Sequence, residues 1–141
     1  MTFRSRGALA FALAAFLVTA LSCARDQQLV SITIQPDTET FGAANIPLSA
    51  DAGLSVQLEA LGTYIHPPVT KDITNQVTWS SNTPEMVTVD PTGLLTATGL
   101  ACGNALVSAT VKTNSDAGNR SSSGAIVTGF MTANVVCPTG P

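Results

Sequence analysis

Three cysteines, one histidine and nine carboxylates are the residues of this 141-residue chain whose chemistry needs accounting for first. Nucleophilic catalysis by Ser or Cys requires a base within hydrogen-bond reach and a third group to orient that base. His66 is the only histidine, set between Ile65 and Pro67-Pro68, and Asp72 is the nearest acid in sequence. A metal site built on His66 would need further ligands, and no His, Cys or second acid clusters beside it. Among the carboxylates, Asp37 and Glu39 stand two apart and read as solvated loop and edge charges, while Asp90 belongs to a turn motif. The residue types therefore predict no catalytic site, no metal and no cofactor, and the chain reads as a non-enzyme.

The cysteines carry a different chemistry. An exported protein favours paired thiols, and an odd cysteine calls for its own explanation. Cys23 directly follows a segment that reads as a signal peptide: Arg4 and Arg6 precede an uncharged run from Gly7 to Ser22, rich in Ala, Leu and Phe. Sixteen such residues fall short of the roughly 20 that a membrane-spanning helix wants. The stretch Thr19-Ala20-Leu21-Ser22-Cys23 resembles a bacterial lipobox, in which a small residue precedes a cysteine that is lipidated and becomes the new N-terminus. Ala20 stands where a large aliphatic residue is usual, with Leu21 one place late. Cleavage by ordinary signal peptidase after Ser22 or after Ala24 remains open. Lipidation of Cys23 explains the odd cysteine, makes a membrane the first partner, and leaves Cys102 and Cys137 as a pair. An outer-membrane lipoprotein of the cell envelope is the expected location, with a periplasmic or secreted domain as the alternative.

Cleavage before Cys23 leaves 119 residues with four basic side chains (Arg25, Lys71, Lys112, Arg120) against nine acidic ones, a net charge of −5. That is one domain's length, and its charge argues against nucleic acid, whose backbone needs clustered Lys and Arg. The expected organisation is a signal peptide over 1–22, a tether over 23–28, a folded domain over 29–138 and a tail over 139–141.

The elements that position these residues read as strands. Val30, Ile32 and Ile34 alternate with polar residues up to Pro36, and Val56, Leu58 and Ala60 do the same within Ser55–Leu61. Val77–Ser81, Met86–Val89 and Leu94–Ala97 are short β-rich runs separated by turn-forming Asn, Pro, Asp and Gly. Ala105–Lys112 alternates with Val107, Ala109 and Val111 on one face. Thr113–Gly124 is polar and predicts an exposed loop, and Ala125–Cys137 is the last strand, with Gly129 marking a bulge or bend. About seven strands and no sustained helical period predict an all-β, immunoglobulin-like sandwich, with Trp79, the only tryptophan, filling its core. Pairing Val111 with Val127 in the final hairpin sets Val107 opposite Met131 and carries the ends toward Cys102 and Cys137, so a disulfide between them reads as a staple across that hairpin.

The stretch Val77-Thr78-Trp79-Ser80-Ser81-Asn82, followed by Val87-Thr88-Val89-Asp90-Pro91-Thr92-Gly93-Leu94-Leu95-Thr96-Ala97, resembles the signature of the bacterial immunoglobulin-like domain, group 2. Ser31–Pro36 is similar to that family's first strand, and Ala105–Val111 falls where it places its next-to-last one. Two departures stand out: Tyr64–Asp72 occupies a variable connection, and Cys102 stands where Pro or Gly would be usual. The resemblance implies a display module, as in invasin- and intimin-like adhesins or as spacers in surface enzymes, and implies no chemistry. The expected function is therefore surface display, adhesion, or protein or glycan contact, with Tyr64 and His66 as a candidate contact loop. The alternative is a carbohydrate- or small-molecule-binding accessory subunit, which needs exposed aromatics side by side. Tyr64, Phe41 and Phe130 are its candidates once Trp79 is buried.

Overall fold

The computed structural model describes residues 27–113 and 124–139. The expected signal peptide, Cys23 and most of the tether lie outside the described residues, as does most of the expected Thr113–Gly124 loop.

Among the described residues, alternation of apolar and polar residues becomes ten strands, more than the seven expected because one run divides and two short strands were not foreseen. They are β1 (Gln28–Gln35), β2 (Thr38–Phe41), β3 (Ser55–Gln57), β4 (Glu59–Ile65), β5 (Val69–Asp72), β6 (Thr78–Ser81), β7 (Val87–Val89), β8 (Leu94–Ala97), β9 (Gly103–Lys112) and β10 (Ile126–Val135). A short 3₁₀ turn, Leu48–Asp51, bridges β2 and β3. The sheets run β1-β4-β5, β3-β8-β7 and β2-β10-β9-β6. The single run expected from Ser55 to Leu61 changes partner at Leu58: β3 pairs with β8, and β4 pairs with β1. The two three-stranded sheets are thus successive parts of one layer, facing the four-stranded sheet.

β1 and β2 connect the layers. After the bend at Pro36, whose peptide bond with Gln35 is cis, the chain leaves β4 and adds to β10 in parallel, with Thr38 opposite Thr132 and Phe41 opposite Val135. The hairpin of β9 and β10 has the expected register, Val111 opposite Val127 and Val107 opposite Met131. Between the layers lie Ile34, Leu58, Ile73, Val87, Leu95, Val107, Met131 and Val135, all less than about one-fortieth exposed. Trp79 is nearly buried and stands opposite Ala109 on β6. Its ring reaches the other layer at the turn before β8: a Cβ built on Gly93 would lie 3.1 Å from Trp79 Cζ2. Gly93 has φ +83°, which favours glycine there independently of space.

Three sequence expectations are corrected. Val30 does not share the inward face of Ile32 and Ile34; it is 45% exposed, because the register slips between Leu29 and Ser31. The extra residue of a bulge turns Val30 outward and lets Leu29 point inward. Gly129 marks no bulge, since β10 pairs with β9 without interruption. It permits close approach instead: a Cβ at Gly129 would stand 2.5 Å from the Ile32 carbonyl oxygen, so β1 crosses β10 only over a glycine. The variable connection Tyr64–Asp72, expected to hold a contact loop at Tyr64 and His66, is mostly strand. It is a hairpin of β4 and β5, with Tyr64 opposite Val69 and only His66-Pro67-Pro68 in the turn.

Candidate interaction surface

The hairpin divides the expected contact loop between a strand and a turn. Tyr64 belongs to strand β4, is half-buried and packs against the core. The Lys71 ammonium lies 5.1 Å above its ring, a cation–π contact, and donates to Gln27 Oε1 at 2.5 Å. His66 is exposed in the turn with φ 64°, in the left-handed region. The structure does not bring Asp72 to it, because Asp72 stands opposite Leu61, toward the other end of the hairpin.

Asp72 acts locally. Its Oδ1 accepts from the Thr74 hydroxyl at 2.6 Å and from the Thr74 amide at 2.9 Å, and these bonds hold its carboxyl below the usual range. The same Thr74 hydroxyl accepts from the Ala60 amide at 2.9 Å, and the Thr74 carbonyl accepts from Trp79 Nε1 at 3.0 Å. β5 ends at Asp72, and a threonine hydroxyl takes up the next buried β4 donor. Sequence reasoning missed Thr74. The signal was the Asp-x-Thr pattern of a side chain bonding backbone two residues on.

Asp90 repeats the pattern. Its Oδ1 accepts from the Thr92 hydroxyl at 2.7 Å, the Thr92 amide at 2.8 Å and the Leu94 amide at 3.0 Å. Hydrogen bonds from the Thr92 side chain and the Leu94 backbone, in that order, lower its pKa. Between the two motifs lies an open cleft of about 530 Å³ lined by Gln57, Glu59, Asp72, Thr74, Asn75 and Thr92 with Leu58. Gln57 Nε2 is committed to the carbonyls of Thr92 and Leu58. Asp37 is exposed between β1 and β2, and Glu39 is part-buried on β2. Among the described residues no group of three or more His, Cys, Asp and Glu is placed to hold a metal ion, and no buried side-chain nitrogen or oxygen lacks a hydrogen-bond partner.

Cys102 and Cys137 are joined, with S–S 2.06 Å and Cα–Cα 5.1 Å, just beyond the Gly103–Val135 pair that ends the β9–β10 ladder.

What remains is a surface. Side chains alternate across β9 and β10, so those opposite the core form the outer face of the four-stranded sheet. Phe130 sits there, 57% exposed, directly opposite Ser108, with Leu106 on the diagonal at 42%. Hydroxyls surround them: Thr110 and Thr128 are bonded to each other at 3.2 Å, and Ser108 reaches the Ser80 carbonyl at 3.5 Å. Between Lys112 at one end and Asn104 and Asn134 at the other, β9 and β10 put no charge on this face. Sequence reasoning named Phe130 only as one of three aromatics. Phe41 is buried, Tyr64 lies on the other layer and Phe130 stands apart from both, so the three make no common platform.

The family model of the bacterial Ig-like domain (group 2) matches residues 31–119, from β1 through β9. No curated protein matches the chain. Among the described residues no helix is long and apolar enough to cross a membrane.

Proposed function

The chain belongs to the bacterial Ig-like domain (group 2) family, a family of surface-associated and generally non-catalytic modules, and from that premise we propose that it is a lipid-anchored cell-envelope module that docks a protein partner on its Phe130 face. Cys23 carries the lipid. The sandwich holds the docking face clear of the core, and no reaction is performed on the partner.

The observation that carries this reading is Phe130 itself. An aromatic more than half exposed, surrounded by hydroxyls on a sheet face whose one β9–β10 charge is Lys112 at its end, has the composition of a contact centre: depleted in charge, with an aromatic anchor. The carboxylates with lowered pKa speak for structure, since each is occupied by bonds that close its own turn. A glycan-binding accessory role loses its main support, because stacking on sugar rings calls for neighbouring exposed aromatics and Phe130 has none beside it among the three candidates.

A photo-crosslinking amino acid at position 130 tests the reading in the native envelope, with position 88, exposed on β7 in the opposite layer, as control. A discrete adduct from 130 and none from 88 is the expected result. Absence of any adduct from 130, or equal adducts from both, overturns it.

A further inference from the structure

We propose that the end of the sandwich where β1 begins is seated on the anionic phospholipid headgroups of the membrane that holds the chain, with the β4–β5 turn, Lys71 and Lys112 at the contact. The proposal rests on the lipid anchor at Cys23 argued above. It adds the orientation of the domain and a second contact at one end of the sandwich, where Lys112 and Ile126 close the Phe130 face.

Chain length sets the distance. Gln28, the first residue of β1, comes five residues after Cys23, and five extended residues reach at most about 18 Å. The end of the domain that Gln28 occupies therefore cannot leave the neighbourhood of the headgroups. Gln28 pairs with Ile65, the last residue of β4, so the exposed His66-Pro67-Pro68 turn projects past the point where the tether enters.

The topology brings the other layer to the same end. β10 runs beside β1 and β2 in their direction: Gly129 meets the Ile32 carbonyl, Thr132 N donates to the Asp37 carbonyl, and Val136 N to that of Phe41. The start of β10, Ile126, and its partner Lys112 therefore stand at the Gln28 end. Ile126 is 68% exposed there, and Val30, turned out by the bulge, is 45% exposed nearby.

Charge agrees with this placement. Lys71 and Lys112 are the two Lys or Arg among the described residues; Lys112 lies at this end, and the Lys71 side chain, starting opposite Gly62, carries its ammonium toward it, in a chain that is acidic as a whole. Lys71 is held beside the tether entry by Gln27 Oε1 and the Tyr64 ring. The carboxylate next to it, Asp72, is directed into its bonds with Thr74. Basic groups close to an anionic leaflet are attracted over about a Debye length, so only cations brought this near contribute. The opposite end, where β9 starts beside the 79% exposed Leu100, is about 33 Å away along a ten-residue strand.

The test uses the full chain purified from its envelope, with intact mass reporting acylation of Cys23. Pro68→Cys and Leu100→Cys variants are labelled with an environment-sensitive fluorophore. Each is placed in vesicles of phosphatidylethanolamine and phosphatidylglycerol containing a headgroup spin-labelled lipid. The label at 68 is expected to be quenched several-fold more than that at 100, and Lys71→Glu combined with Lys112→Glu is expected to narrow the difference. Equal or reversed quenching on an acylated chain overturns the seating and leaves the anchor standing. An unchanged difference in the double variant overturns the part given to the lysines. A mass without acyl groups overturns the anchor, and the seating with it.

Discussion

Replacing Thr74 with valine keeps the shape of a buried side chain and removes one oxygen, which makes it a sharp probe of how the start of β4 is held. The hydroxyl accepts from the Ala60 amide at 2.9 Å, and Ala60 is fully buried; its other bond, donated to Asp72 Oδ1, goes to an exposed carboxylate that water can serve instead. With no acceptor in its place the amide loses its partner where water does not reach it. A buried donor left in that state costs about 1–3 kcal/mol. The added methyl recovers at most about 0.8 kcal/mol, so the net loss is expected near 1–2 kcal/mol. The bond from Trp79 Nε1 goes to the Thr74 carbonyl and survives the substitution, so the tryptophan keeps its partner. Urea unfolding gives the number: with a slope of about 1–1.5 kcal/mol per molar for a domain of this size, the midpoint drops by roughly 1 M. Amide exchange at Ala60 supplies the local reading and is expected to accelerate. A midpoint within about 0.3 M of the parent, with Ala60 still protected, would refute the reasoning.

Reducing the Cys102–Cys137 bond, which joins residues 35 apart, is expected to cost about 3–4 kcal/mol by the loop-entropy argument, read as a fall in the urea midpoint of the reduced, alkylated protein. Gly129→Ala is expected to cost about 1–3 kcal/mol, because its methyl would meet the Ile32 carbonyl at 2.5 Å; an unchanged thermal midpoint would contradict the close approach. The carboxyls of Asp72 and Asp90 are lowered in the folded chain relative to the ordinary 3.8. Their stabilisation is therefore fully present above that value and is lost as pH falls through it toward the lowered pKa. Urea midpoints are expected to fall below about pH 4, and less steeply in Asp90→Asn, whose side-chain oxygen still accepts in the turn without titrating. Phe130→Thr is expected to leave the thermal midpoint within about 2 °C, since an exposed surface position contributes little to folding, while abolishing the adduct formed by a second crosslinker at position 108.

Strand positions were legible wherever alternation ran unbroken, as in Ala105–Lys112, and the register of the last hairpin followed from pairing one residue. What was not legible depended on partners distant in sequence. The break at Leu58 cannot be read from Ser55–Leu61, because alternation is continuous while the hydrogen-bonding neighbour changes from β8 to β1. Val30 sits in phase with Ile32 in the sequence, and only the slip against β4 turns it outward. Gly129 carried a signal of the right kind, but a glycine in a strand marks either a bulge or a close approach, and which one depends on where β1 crosses. The proposed contact surface was the least legible part. Tyr64 and His66 drew attention because two prolines follow them, whereas Phe130 gains its setting from Ser108, Leu106 and Thr110 on the neighbouring strand.

Intact mass of the protein taken from its native envelope, before and after reduction and alkylation, tests the central claim most directly. A lipid-anchored module predicts a chain beginning at Cys23 with two or three acyl groups, taking up two alkyl groups and only after reduction. A chain of unmodified mass beginning at or after Cys23, or one whose Cys102 and Cys137 alkylate without reduction, would contradict the account.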